Sequence, residues 1–313
     1  MSLNKKNHHV DWTKFLYSIP AKDYMIQSNP YEEKMKYAAE MIKKADMVLI
    51  GAGAGASAAA GLLYSGPRFT ENFAEFIEKY GSEYMPDMYA AGFYPFPSEE
   101  AKWGYWSKHA LMNRFYPPAF SLYQDLYEMV KDKEYFVLTT NVDHQFYKSG
   151  FDEKRIFATQ GDYGEIQCEK GCHPKVYEGE ELFYKMDEAR KDCLIPSELV
   201  PHCPVCGGKM AMHLRSDQYF VEDEEWHEAA DRYVEFLEQM KGKNVVLLEL
   251  GVGFNTPVII RFPFEKMMRE NDSYHLIRLN MTQHFVPQSF GVRAVGIGGD
   301  LAQAVIDLKE RVL

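Results

Sequence analysis

The stretch Val48-Leu49-Ile50-Gly51-Ala52-Gly53-Ala54-Gly55-Ala56-Ser57-Ala58-Ala59-Ala60-Gly61 decides how the rest of the chain is read. Its apolar start, with the β-branched Val48 and Ile50, predicts a buried strand. The glycines that follow let the backbone turn sharply and come close to a ligand. The alanines after them suit a helix start. Strand, glycine-rich turn and helix together form a cradle whose free N–H groups attract a pyrophosphate. An ordinary tight turn between strand and helix has the same pattern, and both readings stay open at this point. A dehydrogenase fingerprint would place a second strand ending in an acidic residue about 20 residues further on. Glu71 stands near that distance, but in Phe69-Thr70-Glu71-Asn72-Phe73, which reads as helix. A plain hydride-transfer enzyme is therefore not expected.

Composition narrows the setting. The chain has 313 residues, 46% of them hydrophobic, enough for one large domain or a large and a small one. A net charge of −11 argues against nucleic acid or an anionic membrane as the main partner. No apolar run reaches the roughly 18 residues of a membrane span. Met1-Ser2-Leu3-Asn4-Lys5-Lys6 lacks a signal-peptide pattern. A soluble cytoplasmic protein is expected, in which the five cysteines serve as thiols or metal ligands rather than disulfides.

Outward from the cradle, residues 1–30 read as an irregular arm with a short helix, and Pro30 to Lys44 as a helix with apolar positions near a 3.6-residue period. Residues 62–120 are rich in aromatic residues, proline and glycine, and suit either a mostly helical lid over a ligand or a satellite core. A helix over Ser121 to Val130 precedes the strand Tyr135–Thr139, which ends in Thr140-Asn141-Val142-Asp143. Asn and Asp at a strand's C-terminal end sit where an α/β sheet binds ligands, although Asp143 also suits a helix cap. Ile156–Thr159 is a short strand ending at Gln160-Gly161. Acidic residues Glu222 to Glu225 open a helix running to about Met240. Three more strands follow: Val245–Leu250, leading into Gly251-Val252-Gly253-Phe254-Asn255-Thr256; Tyr274–Leu279, ending at Asn280; and Ala294–Ile297, before Gly298-Gly299-Asp300. Strands alternating with helices predict an α/β fold with a Rossmann-like, doubly wound parallel sheet. Its ligand edge gathers residues 51–57, 140–143, 160–161, 251–256, 280 and 298–300.

Cys168-x3-Cys172 and Cys203-x2-Cys206-Gly207-Gly208 bracket an insertion of different character. Two such pairs suit a tetrahedral Zn²⁺ site of four thiolates, with His173 a substitute for one of them. Unligated reduced cysteines are the plain alternative. A closed four-ligand site has no open position, so this metal is structural. Cys193 is left over as a buried thiol.

Taken together and in order, these pieces resemble the sirtuins. Gly53-Ala54-Gly55-Ala56-Ser57-Ala58-Ala59-Ala60-Gly61-Leu62 is similar to the family's GAGxSxxSGI signature. Thr140-Asn141-Val142-Asp143 followed by Gly150 resembles TQNID…AG, and Gln160-Gly161 followed by Cys168 falls where the family has HG…C. Cys203-x2-Cys206 and then Leu214-Arg215 resemble the second zinc pair and the LRP after it, Gly251-Val252-Gly253 stands at GTS, and Asn280 at the sheet's IN. The resemblance covers roughly residues 45–313. It implies a discontinuous Rossmann-like NAD-binding domain over 1–165 and 211–313, with 62–120 a helical or lid insertion, and a small inserted zinc-binding domain over 166–210. The implied cofactors are NAD and one structural Zn²⁺ per chain.

The departures carry functional information. Gln160 stands where the family has its catalytic His, the cradle continues as Leu62-Leu63-Tyr64-Ser65-Gly66-Pro67-Arg68 instead of IPDFR, and Gln218 to Asp223 does not match the VVxFGE that pairs with an acyl-lysine peptide. This combination resembles the macrodomain-linked sirtuins of microbes. The resemblance implies protein mono-ADP-ribosylation of a lipoylated glycine-cleavage H-like carrier protein, with a macrodomain ADP-ribosyl hydrolase as functional partner and with Asn141, Gln160 and Arg215 needed for activity. It assigns Ala52, Gly53, Gly55 and Ser57 to the pyrophosphate, Asn141 to the nicotinamide ribose or a water, Asp143 to the nicotinamide amide, and Gln160 to ribose hydroxyls. Arg215 then supports the acceptor or the phosphates, with a surface ion pair as its alternative. Gly251, Gly253, Asn255, Asn280 and Asp300 line the adenosine side, with a helix N-cap as the alternative for Asp300. The rival functions are an NAD-dependent lysine deacylase, a non-catalytic NAD or ADP-ribose sensor, and an NAD glycohydrolase.

Overall fold

The computed structural model describes residues 21–254 and 257–313. Residues 1–20 of the arm expected over 1–30, and the loop residues Asn255 and Thr256, lie outside them. In chain order, strand β1 (Tyr24–Met25), helix α1 (Tyr31–Lys44) and strand β2 (Met47–Ala52) come first. Helix α2 (Ala54–Ala59) follows the glycine turn, and α3 (Pro67–Asn72), α4 (Ala74–Tyr80), α5 (Met88–Gly92) and α6 (Glu99–Ala110) make up the aromatic stretch. Helix α7 (Ser121–Val130) leads into β3 (Glu134–Thr139), and the single turn α8 (Gln145–Lys148) into β4 (Ile156–Ala158). Then come β5 (Gly161–Cys168), β6 (Val176–Glu178), α9 (Glu180–Ala189) and β7 (Met210–Leu214). The chain closes with α10 (Glu224–Gln239), β8 (Val245–Leu250), α11 (Arg261–Glu270), β9 (Tyr274–Asn280), β10 (Val286–Pro287), β11 (Ala294–Gly298) and α12 (Leu301–Val312).

The main sheet has the order β11-β9-β8-β2-β3-β4, and every neighbouring pair is parallel. Counted by chain position, its strands run 6-5-4-1-2-3, the doubly wound Rossmann order, which reverses between β2 and β8. Central strands of such a sheet are covered on both faces, so they read as unbroken apolar runs. Val48 and Ile50 pack into a core with α1, α7 and α12, while Leu49 faces α10 and α11 with Phe136 and Leu247. Truncating one of these buried side chains, such as Phe264, costs about 3–5 kcal/mol. The sheet's rim at β11 is closed by a side chain: the Gln27 amide donates to the Ala294 carbonyl (2.8 Å) and accepts from the Gly296 N–H (2.9 Å).

A second, antiparallel sheet of order β6-β5-β7 carries the cysteines. It extends to Leu214, so the chain turns back toward the main sheet only after that residue. Residues 62–120 are mostly helical. Their aromatic side chains form a core of their own around Phe69, Phe73, Phe76 and Tyr105, in which Cys193 is buried as expected. Trp103, Ala110 and Leu111 share a further core with Ile166, Phe183 and Cys203, so these helices are packed onto the cysteine sheet. Among the described residues, no helix is long and apolar enough to cross a membrane.

Candidate active site and metal centre

At the reversal of strand order, two glycine loops meet backbone to backbone. Strand β2 continues through Gly51 and Ala52, two residues further than the sequence pattern indicates, and the chain leaves the sheet at Gly53. The Gly55 N–H donates to the Gly251 carbonyl at 3.0 Å. A Cβ on Gly55 would lie 2.7 Å from that carbonyl oxygen, and one on Gly251, where φ is +61°, would lie 2.3 Å from the Ala56 nitrogen. Helix α2 has only six residues. The cradle is therefore made by paired, side-chain-free backbones more than by the dipole of a long helix.

Next to the cradle, the β3 edge is built from side chains. Asn141 donates through Nδ2 to the Gly53 carbonyl (3.1 Å) and to the Tyr123 hydroxyl (3.4 Å). The Tyr123 and Ser57 hydroxyls are 3.1 Å apart, and Ser57 donates to Asp143. The other oxygen of Asp143 accepts from the Gln145 N–H at 3.1 Å, an Asx turn one residue ahead of the helix N-cap, which is His144. Burial raises the Asp143 carboxyl above its ordinary value, against the opposing pull of these two bonds. Gly53, Ser57, Asn141 and Asp143 are thus one hydrogen-bonded group. Tyr123, its hub, was missed by sequence reasoning because nothing local marks it.

The Asn141 loop is stitched to the start of β5 by the Tyr163 N–H, which donates to the Val142 carbonyl at 2.9 Å. Gln160 stands at that junction, half-buried, with Nε2 donating to the Thr159 hydroxyl at 3.3 Å. Gly161 follows at φ +92°, where a Cβ would lie 1.9 Å from the His213 carbonyl oxygen. The Arg215 N–H donates to the Gln160 carbonyl at 3.0 Å. Its guanidinium donates to the Thr159 carbonyl (3.2 Å) and to Glu222 (2.7 Å) and lies 4.1 Å from the Phe220 ring centroid. The ion-pair alternative for Arg215 is thus realised, in contact with Gln160.

Two residues past Gln160, Asp162 accepts from His144 Nδ1 (2.6 Å), Arg114 Nε (2.9 Å) and the Gly164 N–H (2.6 Å). Burial alone would raise this carboxyl, but those donors hold it below the usual range. His144, one of three non-glycine residues with positive φ among the described residues, is stacked on Tyr147. No sequence pattern pairs it with Asp162.

On the far side of the crevice, Val252 is buried against Gly53 and Gly253 is half-exposed. Asn280 donates to the Val252 carbonyl at 3.0 Å and accepts from the Gln283 N–H at 2.9 Å. Asp300 is exposed, and its carboxylate caps α12 by accepting from the Ala302 (2.9 Å) and Gln303 (3.2 Å) N–H groups. It lies beyond β9, apart from the hydrogen-bonded group around Asn141. Asn255 is outside the described residues. Beneath this loop lies a network that sequence reasoning missed. Glu249 accepts from Arg261 and Arg278 (2.8 Å each), Arg278 also reaches Glu265 (2.9 Å), and all four are essentially inaccessible to solvent. Arg261 also donates to the Val252 carbonyl at 2.7 Å, so the network holds the loop from below. The acid inside Val-Val-Leu-Leu-Glu-Leu was its one legible sign.

The four sulfurs of Cys168, Cys172, Cys203 and Cys206 lie within 4.8 Å of one another. Two of the separations are 3.8 Å (Cys168–Cys206) and 3.6 Å (Cys172–Cys203). A tetrahedron of Zn–S bonds of about 2.3 Å has edges of about 3.8 Å. Backbone N–H groups of Cys206 and Val205 lower the Cys203 thiol to about 6, which favours the thiolate a metal binds. The cluster fits a structural zinc site. His173 is not needed as a ligand: its Nδ1 is 3.1 Å from the Cys172 sulfur and its Nε2 bonds the Tyr177 hydroxyl at 2.8 Å.

A Rossmann-order sheet with a glycine crevice at its reversal, joined to a small four-cysteine sheet, defines the sirtuin class of fold. No family model matches the chain. It is 36% identical over 278 residues to a Staphylococcus aureus (strain Mu50) protein named protein ADP-ribosyltransferase, covering 88% of this chain and 87% of that one. It is 31% identical over 315 residues to a Fusarium oxysporum f. sp. cubense protein named "probable bifunctional ADP-ribose hydrolase/ADP-ribosyltransferase", covering 94% of this chain but only 51% of that longer protein. Among solved structures, a Sir2 homologue in complex with NAD superposes with a TM-score of 0.57 at 16% identity, covering 93% of this chain and 99% of that one. A structure of a Sir2 enzyme gives 0.54 at 16% identity, covering 90% and 97%. The chain belongs to the sirtuin-type protein ADP-ribosyltransferases.

Proposed function

We propose that the protein transfers ADP-ribose from NAD to a protein side chain and releases nicotinamide. The observation that carries this reading is Gln160, an amide at the junction of the Asn141 loop and Arg215 where a deacylating relative has an imidazole. Breaking the bond between ribose C1′ and nicotinamide sends the electron pair to a ring nitrogen that is already cationic, so the leaving group needs no acid. The cation-like sugar needs positioning and electrostatic support. In a deacylase the acyl oxygen attacks C1′ and a base then removes a ribose proton. An amide does not take up that proton, and loss of a general base typically removes about 10²–10⁴-fold in rate. An ionised carboxylate attacking C1′ brings its own lone pair and releases no proton, so it is the acceptor type this site suits. In this reading Gln160 holds ribose hydroxyls and Asn141 the nicotinamide ribose. Asp143 takes the nicotinamide amide, and Arg215 supports the acceptor or the phosphates. The loops at Gly53–Ser57 and Gly251–Gly253 take the pyrophosphate and the adenosine side.

The deacylase rival is also disfavoured at Gln218–Asp223, the segment aligned with the peptide-pairing strand of deacylases. Its Tyr219 carbonyl and Val221 N–H are taken by the Gln167 amide (2.8 and 2.9 Å), and its Val221 carbonyl by His213 (2.9 Å). Those three backbone groups are not available to an incoming strand. We further propose, from the resemblance to macrodomain-linked sirtuins, that the acceptor is a lipoylated glycine-cleavage H-like carrier protein in the cytoplasm, with a macrodomain hydrolase reversing the mark. The bifunctional name of the Fusarium relative, about half of which this chain spans, supports the hydrolase link.

The test is transfer from labelled NAD to the carrier protein, with and without its lipoyl group. The expected result is label only on the lipoylated form, lost by at least about 10²-fold in Asn141→Ala and Gln160→Ala. Release of O-acyl-ADP-ribose from acyl-lysine peptides would establish the deacylase instead. Free ADP-ribose without labelled protein would mean a glycohydrolase, and NAD binding without nicotinamide release would mean a sensor.

A further inference from the structure

We infer that Tyr123 is a positioning residue for Asn141, the second of two acceptors that together hold its amide in place for the nucleotide. The inference rests on the NAD reading above but is carried by separate geometry. Tyr123 lies on α7, is fully buried, and packs edge-on against Phe146 with ring centroids 4.9 Å apart. Its hydroxyl is the midpoint of a chain with a defined direction. Asp143 accepts through both oxygens, so the Ser57 hydroxyl spends its hydrogen on Asp143. The Tyr123 hydroxyl, 3.1 Å from Ser57, must then donate to Ser57. Its own oxygen is left to accept from Asn141 Nδ2 at 3.4 Å. Every donor thus points the same way, from Asn141 through Tyr123 and Ser57 to the carboxylate, and bonds aligned in this manner strengthen one another.

The orientation of Asn141 follows. The Gly53 carbonyl is an acceptor only, so the amide end facing it at 3.1 Å is the nitrogen. With one N–H on Gly53 and the other on Tyr123, both hydrogens are used inside the protein. Oδ1 has no protein partner among the described residues, and Asn141 keeps a sliver of exposure, 9%. What Asn141 offers to a bound nucleotide is therefore a fixed carbonyl oxygen, a hydrogen-bond acceptor for a ribose hydroxyl or a water. Removing the Tyr123 hydroxyl leaves the Gly53 carbonyl as the amide's one acceptor, so the amide is held by a single bond and the carbonyl oxygen is placed less firmly.

Tyr123→Phe removes one oxygen and keeps the ring packing, so folding is retained and a unchanged thermal midpoint is the control. The expected result is a fall of about tenfold in the rate of nicotinamide release with the KM for NAD changed less than twofold, the split expected when orientation rather than binding is lost. A general loss of packing would move both. A second readout needs no nucleotide: side-chain amide hydrogen exchange of Asn141, followed by NMR on the free protein, should be at least about tenfold faster in Tyr123→Phe than in wild type. Equal amide exchange in the two proteins overturns the inference. So does equal nicotinamide release, provided that wild type releases nicotinamide. If wild type releases none, the transferase reading fails while the amide measurement still decides the role of Tyr123.

Discussion

The two halves of the ligand edge are made differently. Where β2 meets β8, backbone packs on backbone, and Gly55 and Gly251 leave no room for a single added carbon. Where β3 meets the start of β5, side chain meets side chain: Asn141 with Tyr123, Ser57 with Asp143, and His144 with Asp162. The first half has one workable form, set by the absence of side chains. The second is composed of separate side chains, each held by its own hydrogen bonds.

Metal removal tests the division most severely. Strand β5 runs from Gly161 beside Gln160 to the ligand Cys168, so stripping the zinc should unfold the β5–β7 sheet and abolish transfer. NAD affinity, measured by calorimetry, should fall far less, because the glycine crevice lies on the main sheet. Cys206→Ser should lose the metal by elemental analysis and Cys193→Ser should keep it. Equal loss of binding and transfer would break the comparison. Gly251→Val comes next: the left-handed φ and the collision with Ala56 should cost about 2–5 kcal/mol in urea unfolding and remove NAD binding.

Asp143→Asn sharpens the other half. Burial raises the Asp143 carboxyl above its ordinary 3.8. The folded state therefore holds the proton more tightly than the unfolded state. That contribution to stability is fully present below about pH 4 and is lost as pH rises through the raised value. The Asn variant lacks this loss. Its stability relative to wild type should climb over that window and level off above it, while nicotinamide release falls. A parallel pair of stability–pH curves would contradict the assignment. Smallest is Asp300→Ala, which should cost about 1 kcal/mol as a lost N-cap and leave the KM for NAD unchanged. A raised KM would place Asp300 on the adenosine side, the role the resemblance implied beside the N-cap alternative.

The legible parts of the molecule are those set by local pattern. Val48–Ile50 is an unbroken apolar run, and Val245–Leu250 is one interrupted only by Glu249, because both faces of a central parallel strand are covered; the glycines after each mark the crevice directly. The cysteine spacing likewise indicated its cluster. The parts that stayed hidden depend on residues far apart in the chain. Tyr123 and Asn141 meet only when α7 and β3 are packed, Asp162 gathers donors from positions 114 and 144, and Trp103 shares a core with Cys203. Glu249 was visible as an anomaly in an apolar strand, but its partners Arg261 and Arg278 belong to a later helix and strand.

The Gln27 amide on β11 has a consequence for the molecule among its own copies. An outermost strand offers a row of unsatisfied backbone groups that a second chain can adopt as a template. Here one side chain imitates a peptide unit and occupies the Ala294 carbonyl and the Gly296 N–H, so a stranger's backbone finds the first rungs already taken. At the opposite margin β4 is only three residues long, too brief to recruit a neighbour. The sheet ends where it does because both of its borders have been made unattractive to growth.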